Sequence, residues 1–323
     1  MRVRFWGTRG SIPVALTSAD IRDKIVMALM KASGRVFSSM EEAATFAQKE
    51  LPFSLTNTFG GHTPCVELEV EDDQYHVCDE YYVCDMGSGA RPFGAHVLAR
   101  QHGRPAVINA FMSHVHWDHI MGFPFFGPAY VPGMKIRIHG CHDTLEQAFR
   151  LQQAPPCFPV DFSQLTADIE FVQLVPGETV QIGAMNVTPR LQLHSGDSYG
   201  YRFEANGKSA IYSTDSEHKL EDLDEAKQIA AFFKNADVVI FDAMYSLAEA
   251  VSVKADWGHS SNIVGVELCQ MARAKRLVLF HHEPANDDAT LERLLAETRR
   301  FEELTGELRL EVSSAFDGME IEL

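Results

Sequence analysis

The chain has 323 residues, 46% of them hydrophobic and 23% charged, the balance of a globular protein with a substantial core. Its formal net charge of -17 argues against a grip on long RNA or DNA, because displacing counterions from phosphates takes a basic surface. No apolar run is long enough to span a bilayer, so no membrane association is expected. The opening "MRVRFWGTRGSIP" lacks the apolar core of a secretory signal. The six cysteines (Cys65, Cys78, Cys84, Cys141, Cys157 and Cys269) form no C-x-x-C pair, and the cytoplasm is the expected compartment.

In chain order, "VRFWG" reads as a first strand, followed by an insertion over residues 14 to 56. Within it, "TSADIRDKIVMALMKASG" carries Ile21, Ile25 and Leu29 on one helical face with Gly34 as a stop, and "SSMEEAATFAQKELP" opens on a Ser39/Glu42 capping box and closes at Pro52. This helical hairpin is an outer layer on a sheet, a lid, or a homodimer contact. Further strands follow at "CVELEV", "YYVCDMG", "VINAFMS" and "KIRIHG". A helix over "DTLEQAFRLQQ" begins with an Asp143/Glu146 capping-box pair. Then come the strands "IEFVQLV", "YGYRFEA" and "SAIYSTD", the helix "LDEAKQIAAFFKNA" and the strand "DVVIFDA". The helix "SNIVGVELCQMARA", the strand "RLVLFH", the long amphipathic "ATLERLLAETRRFEEL" and the strands "LRLEVSS" and "GMEIEL" complete the chain. Many strands are adjacent without a helix between them. The class is therefore mixed α/β (α+β), with antiparallel-rich sheets, helices packed outside, and one domain over residues 1 to 323.

The segment "SHVHWDHIMG" places His114, His116, Asp118 and His119 directly after the buried strand "AVINAFM". In an extended segment residues i and i+2 point the same way, so His114 and His116 converge, while Asp118 and His119 project to a neighbouring point where the chain turns. Imidazole nitrogen and carboxylate oxygen are the ligands that borderline divalent cations such as zinc prefer. A metal pair needs more ligands than one loop supplies. Other apolar strands end in His194 ("RLQLH"), Asp215 ("AIYSTD"), and His281 and His282 ("RLVLFHH").

This order, H-x-H-x-D-H, then H, then D, then H, resembles the metallo-β-lactamase fold superfamily over most of the chain. The resemblance implies a four-layer αβ/βα sandwich with its site on one sheet edge. It implies that His114, His116 and His194 hold one metal, that Asp118, His119 and His281 hold a second, and that Asp215 bridges them. "VCDMGSGARPFG" matches the family's early D-x-G segment, with Asp85 as support behind the ligands. His281 follows its strand directly, as the family's last histidine does, which leaves His282 behind the ligand set or at the surface. Members acting on β-lactams commonly carry a cysteine where this chain has Asp215, and oxygen- or NO-reducing members carry a glutamate where it has His116. Hydrolases of thioesters, lactones and phosphodiesters remain.

Three segments favour phosphodiesters by resemblance to the branch holding ribonuclease Z and small cyclic-phosphate phosphodiesterases. They are "FWGTRGSIP", "GGHTPCVELE", where His62 stands in place of the commoner asparagine, and "WGHSS". The glycine turn in "GTRGS" serves either the backbone or a phosphate. His259 of "WGHSS" is the branch signature, and Ser260 or Ser261 caps the next helix. Two zinc or manganese ions sharing a water lower its pKa toward neutrality. The expected function is then a dinuclear phosphodiesterase for a small cyclic or nucleotide-type diester, with Asp118 and His259 as catalytic groups and His259 as the acid for the leaving oxygen. The alternatives are a lactone or thioester hydrolase on the same metals, and a metal-binding sensor or interaction protein.

Overall fold

The computed structural model describes residues 1 to 70, 79 to 218, 222 to 245 and 258 to 323. Cys78 and Trp257, the first residue of "WGHSS", lie outside them. Two seven-stranded sheets face one another. The first runs β14 (Glu320–Glu322), β1 (Arg2–Gly7), β2 (Cys65–Glu69), β3 (Glu80–Cys84), β4 (Val107–Phe111), β5 (Lys135–Gly140) and β6 (Asp168–Gln173). The second runs β13 (Glu311–Ser314), β12 (Arg276–Phe280), β11 (Val238–Asp242), β10 (Lys208–Ser213), β9 (Ser198–Ala205), β8 (Met185–Gln192) and β7 (Val180–Ile182). Phe5, Val66, Phe111, Tyr201, Tyr212 and Phe280 fill the space between the sheets. Helix α4 (Ala90–Gln101) packs Phe93 and Val97 on the outside of the first sheet, and α6 (Leu145–Gln152) adds Phe149. On the outside of the second sheet, α7 (Leu223–Phe233) and α8 (Asn262–Ala272) bury Ile229, Phe233, Val266 and Leu268. Helix, sheet, sheet and helix make the four layers expected. Among the described residues no helix is long and apolar enough to cross a membrane.

The sheets are less antiparallel-rich than strand adjacency suggested. In each, one half is antiparallel and the other half parallel: β3, β4, β5 and β6 run together, as do β10, β11, β12 and β13. Two antiparallel steps, β10 to β9 to β8, also turn β8 back into the direction of β10. The C-terminal ends of β8, β10, β11 and β12 therefore share one edge of their sheet, as those of β3 and β4 do of theirs. Such an edge presents side chains from several strands to one place.

The insertion forms α1 (Ser18–Lys31), α2 (Met40–Glu50) and the single turn α3 (Phe53–Thr56). Ser39 caps α2 by accepting from the Glu42 amide, although the Glu42 carboxylate reaches Ser38 rather than Ser39. Helix α1 does not bury the face that its sequence offers. Ile21, Ile25 and Leu29 are all exposed, Leu29 by 67%, and no residue of the helix is buried. What turns inward is the stripe Lys24, Ala28 and Ala32. The Lys24 ammonium explains it, since it donates to the carbonyls of Ser54 and Asn57 at 2.6 and 2.7 Å and pairs with Asp288. Asp288 opens α9 (Asp288–Thr305), whose Glu292 accepts from the Phe53 amide and the Ser54 hydroxyl. A polar anchor, not an apolar face, seats the insertion on α9.

A second expectation also fails. Asp143 and Glu146 form no capping box. Thr144 precedes α6 without a side-chain cap, and Glu146 pairs instead with Arg150 one turn on.

The exposure of α1 has a measurable consequence. Ile25→Gln and Leu29→Gln should each change the unfolding free energy in urea by less than about 0.5 kcal/mol. Phe46→Ala, which empties the buried position of α2, should cost roughly 3 kcal/mol. A loss of that size from either glutamine variant would show that the face is covered.

Candidate metal centre

Each side chain of the centre stands just beyond the end of a buried strand. Asp85 follows β3, His194 follows β8, Asp215 follows β10, and His281 follows β12. After β4 the chain stays extended through His114 and His116, then makes the single turn α5 (Trp117–Ile120), which carries Asp118 and His119. Asp85, Asp215 and His281 all have positive φ (59°, 47° and 59°), a left-handed backbone that costs L-residues about 1–2 kcal/mol each. The abrupt turn at each strand end is what aims these three side chains at one point.

The structure brings all seven expected ligands together in two groups. His114, His116 and His194 offer nitrogens within 4.8 Å of one another, and an Asp118 oxygen lies equally close to nitrogens of His119 and His281. Asp215 stands between the groups. Its Oδ1 lies 3.2 Å from Nε2 of both His119 and His281, and its Oδ2 lies 3.7 Å from Nε2 of both His114 and His194. Asp118 Oδ2 is 3.3 Å from His119 Nε2 and 3.4 Å from His281 Nε2. Ligands held roughly 2.1 Å from a tetrahedral ion stand about 3.4 Å apart, which is the spacing found here.

The donor set fits metal ions in two further respects. The Nε2 atoms of His114 and His119 are buried and make no hydrogen bond, and each faces the other candidate ligands instead. The opposite ring nitrogens are occupied in the way metal-bound histidines usually are. His119 Nδ1 meets Asp85 Oδ2 at 2.7 Å, His194 Nδ1 meets the Gly258 carbonyl at 2.8 Å, and His114 Nδ1 meets the Ser113 hydroxyl at 3.1 Å. Asp85 is itself held by the Ser113 amide and hydroxyl and by the Tyr212 hydroxyl. The charges agree. Burial pushes the pKa of His114 down. Burial opposes a charge on His119 too, but Asp215, Asp118 and Asp85 outweigh it and raise that pKa well above the ordinary value. Three carboxylates converge on this corner, and a divalent cation answers them better than one proton.

The "GTRGS" turn serves the backbone. The Arg9 guanidinium is buried and donates to the carbonyls of Gly60, Glu283 and Asn286, so it is not free for a phosphate. A Cβ on Gly10 would stand 2.7 Å from the His281 ring, so only glycine lets the turn lie against that ligand. The next amide, of Ser11, donates to Asp118 Oδ2 at 2.8 Å. His62 of "GGHT" bonds the Ser88 hydroxyl, and its carbonyl accepts from the amides of Thr8 and Arg9.

A family model described as a β-lactamase superfamily domain matches residues 84–282, more than half of the chain. The chain belongs to that superfamily. An uncharacterized protein of Mycobacterium leprae is 28% identical over 162 residues, which are 48% of this chain and 54% of that protein. The chain thus spans about half the length of that relative. Ribonuclease Z of Oceanobacillus iheyensis is 20% identical over 273 residues, 69% of this chain and 85% of the relative. Among solved structures, the metallo-β-lactamase fold protein YhfI of Bacillus subtilis aligns over 99% of both chains with a TM-score of 0.63 and 16% identity. A diphosphatase of the PhnP family aligns over 100% of this chain and 97% of its own with a TM-score of 0.59 and 17% identity. The resemblance carried by the histidine and aspartate pattern is borne out for both family and fold.

Within this metallo-β-lactamase fold, His259 sits beside the ligand groups. Its ring stacks on His281 at 5.1 Å between centroids and stands 5.2 Å from His194. Its Nδ1 meets Asp242 Oδ2 at 2.8 Å. Burial opposes the charge, but Asp242 first, with Asp215 and Asp118 after it, outweighs burial and raises the pKa of His259 to about 9. Nε2 of a protonated His259 is then left to donate. His259 is also near enough to complete a trio with His194 and Asp215, or with Asp242 and His281. Asp242 was not singled out from the sequence, although it ends "DVVIFD" as Asp215 ends "AIYSTD"; its partner lies 17 positions further on. Ser261, not Ser260, caps α8, while Ser260 ties the loop to the Ser216 carbonyl. His282 is no part of the cluster. Its buried Nε2 donates to the Ala315 carbonyl at 2.8 Å, and burial lowers its pKa to about 3.

Elemental analysis of protein purified without chelator should find close to two equivalents of divalent metal per chain, and Asp215→Ala should loosen both. Loss of one ion alone would mean that Asp215 serves a single site. His282→Phe should keep the full metal content while costing roughly 1–3 kcal/mol in denaturant unfolding, the penalty for stranding a buried carbonyl.

Proposed function

We propose that the protein is a dinuclear metal-dependent phosphodiesterase acting on a small cyclic or nucleotide-type diester, with zinc or manganese as the metal. His114, His116 and His194 would hold one ion, Asp118, His119 and His281 the other, and Asp215 both. The chemistry such a pair supplies is activation of water near neutral pH and neutralisation of charge on phosphoryl oxygens. The observation that carries the reading is the Asp242–His259 pair beside the ligand groups. A P–O bond to a sugar breaks to give a strongly basic alkoxide, which needs a proton as it leaves. His259 carries one: Asp242 holds Nδ1 and favours the charged ring, and Nε2–H passes its proton to the departing oxygen. A thiolate leaving group has no such need, which weighs against a thioester substrate.

Three other features support this reading. No cysteine joins either ligand group among the described residues. Similar proteins include a ribonuclease Z and, on the same fold, a diphosphatase of the PhnP family. The net charge of -17 favours a small substrate over a long nucleic acid. The residues have distinct tasks. The Ser11 amide fixes Asp118, Asp85 fixes His119, and the Gly258 carbonyl fixes His194, so hydrogen bonds from outside the ligand set orient these three side chains.

His259→Ala should slow a ribose-type diester by roughly 10²–10⁴-fold, and bis(p-nitrophenyl) phosphate far less, because p-nitrophenolate leaves without a proton. Metal content should be unchanged. Equal losses on the two substrates, or loss of an ion, would assign His259 to ligation or structure. The wild-type protein should hydrolyse bis(p-nitrophenyl) phosphate faster than nitrocefin, an acyl lactone or a glutathione thioester; a preference for the lactone or thioester would move the assignment to that class.

A further inference from the structure

Among the candidate ligands His114, Asp118, His119, Asp215 and His281 are buried, whereas His116 is exposed and has the most contact with solvent. The next residue is Trp117, the first of the single turn α5, lodged in the chain between His116 and Asp118. Its indole is 68% exposed, and it makes no hydrogen bond, ring contact or cation contact among the described residues. Trp6 shows what this chain does with a structural tryptophan. Its indole nitrogen donates to Glu67 at 2.9 Å, and its ring packs against Phe93, His96 and the Arg4 guanidinium. Ile12 is exposed as well, and it follows Ser11, whose amide holds Asp118 from the other direction. An exposed indole thus follows directly in the chain on the one exposed candidate ligand, His116, and precedes Asp118.

We propose that Trp117 is a stacking platform for the planar base of a nucleotide-type substrate. The proposal rests on the phosphodiesterase reading and deepens it by naming what is attached to the phosphate. Phosphate alone gives an indole nothing to recognise, whereas every nucleobase has a π-face that stacks on one, largely irrespective of base identity. With the diester held at the ligand cluster, the base is the part of the substrate left to lie over the exposed ring. Stacking is made alike in the bound substrate and in the transition state, so its loss acts mainly on KM.

The test compares Trp117→Ala and Trp117→Phe with the wild type, all metal-loaded, on a nucleoside 2′,3′-cyclic phosphate and on base-free glycerol 1,2-cyclic phosphate. The alanine variant should lower the ratio of kcat/KM between the nucleoside and the base-free diester by roughly 5- to 150-fold, chiefly through KM, and phenylalanine should restore most of it. An unchanged ratio would overturn the proposal. A second arm needs no turnover: AMP should quench the tryptophan fluorescence of the wild type, ribose 5-phosphate should not, and Trp117→Phe should remove the quenched component. Equal quenching by both ligands, or AMP quenching that survives in the phenylalanine variant, would overturn it too. If no phosphodiester is hydrolysed, the functional reading fails, and the fluorescence arm still decides whether Trp117 meets a base.

Discussion

Asp215 is a buried carboxylate with histidine nitrogens on both sides, and the arrangement around it follows from that fact. A lone carboxylate in this position would carry a heavy desolvation penalty. Here His281, His119 and His114 outweigh burial and hold its pKa well below the ordinary range. The Thr214 hydroxyl adds a hydrogen bond to Oδ1 at 2.7 Å. Because the two oxygens face different histidine groups, any change in the rotation of this one side chain alters both groups together. The left-handed turns at Asp85, Asp215 and His281 are the backbone cost of aiming the side chains, and the packed strands behind them hold the strain.

Around this carboxylate the site is a set of paired constraints, with few side chains left to find their own orientation. Gly258 is an example. Its φ of +83° suits glycine, and a Cβ there would stand 2.5 Å from His194 Nδ1. Its carbonyl is the acceptor for that same nitrogen, and its amide is held by Glu217, two residues beyond Asp215. The next residue is His259. One short loop therefore orients a candidate ligand and carries the candidate acid, so one hydrogen bond and the peptide link after it relate the two.

Much of the site was legible because ligands at strand ends leave a mark: an apolar, β-branched run that stops at a histidine or aspartate. His114, His194, Asp215 and His281 bear it, and His116, Asp118 and His119 follow His114 within five positions. The same mark at Asp242 went unused, because its meaning comes from a hydrogen bond to a distant residue that spacing does not reveal. The outer strands β7 and β8 were only partly legible. Their exposed face carries Asn186, Leu191 and other solvent-facing residues, so the apolar run is diluted, and Pro189 sits beyond the stretch of β8 that pairs with β7. Helix α1 misled in the opposite way. Its apolar stripe is the stronger pattern, yet Lys24, one polar residue with three acceptors in reach, decides which side faces the protein.

The contacts that hold Asp118 also bear on how the protein reaches its native state. Ser11 and Asp118 are 107 positions apart, Asp118 and His281 are 163 apart, and Arg9 reaches the Glu283 carbonyl across 274. Each is a loop whose closure entropy must be met before the contact returns anything, and contacts this distant slow folding. A nascent chain that has emitted "HVHWDH" has the densest part of the ligand set but neither Asp215 nor His281, and nothing yet ties its first turn to its last strands. The two-group cluster exists only once both ends of the polypeptide have met. An ion bound there would favour the finished fold over every partly folded form, so metal supply would become a term in the protein's lifetime.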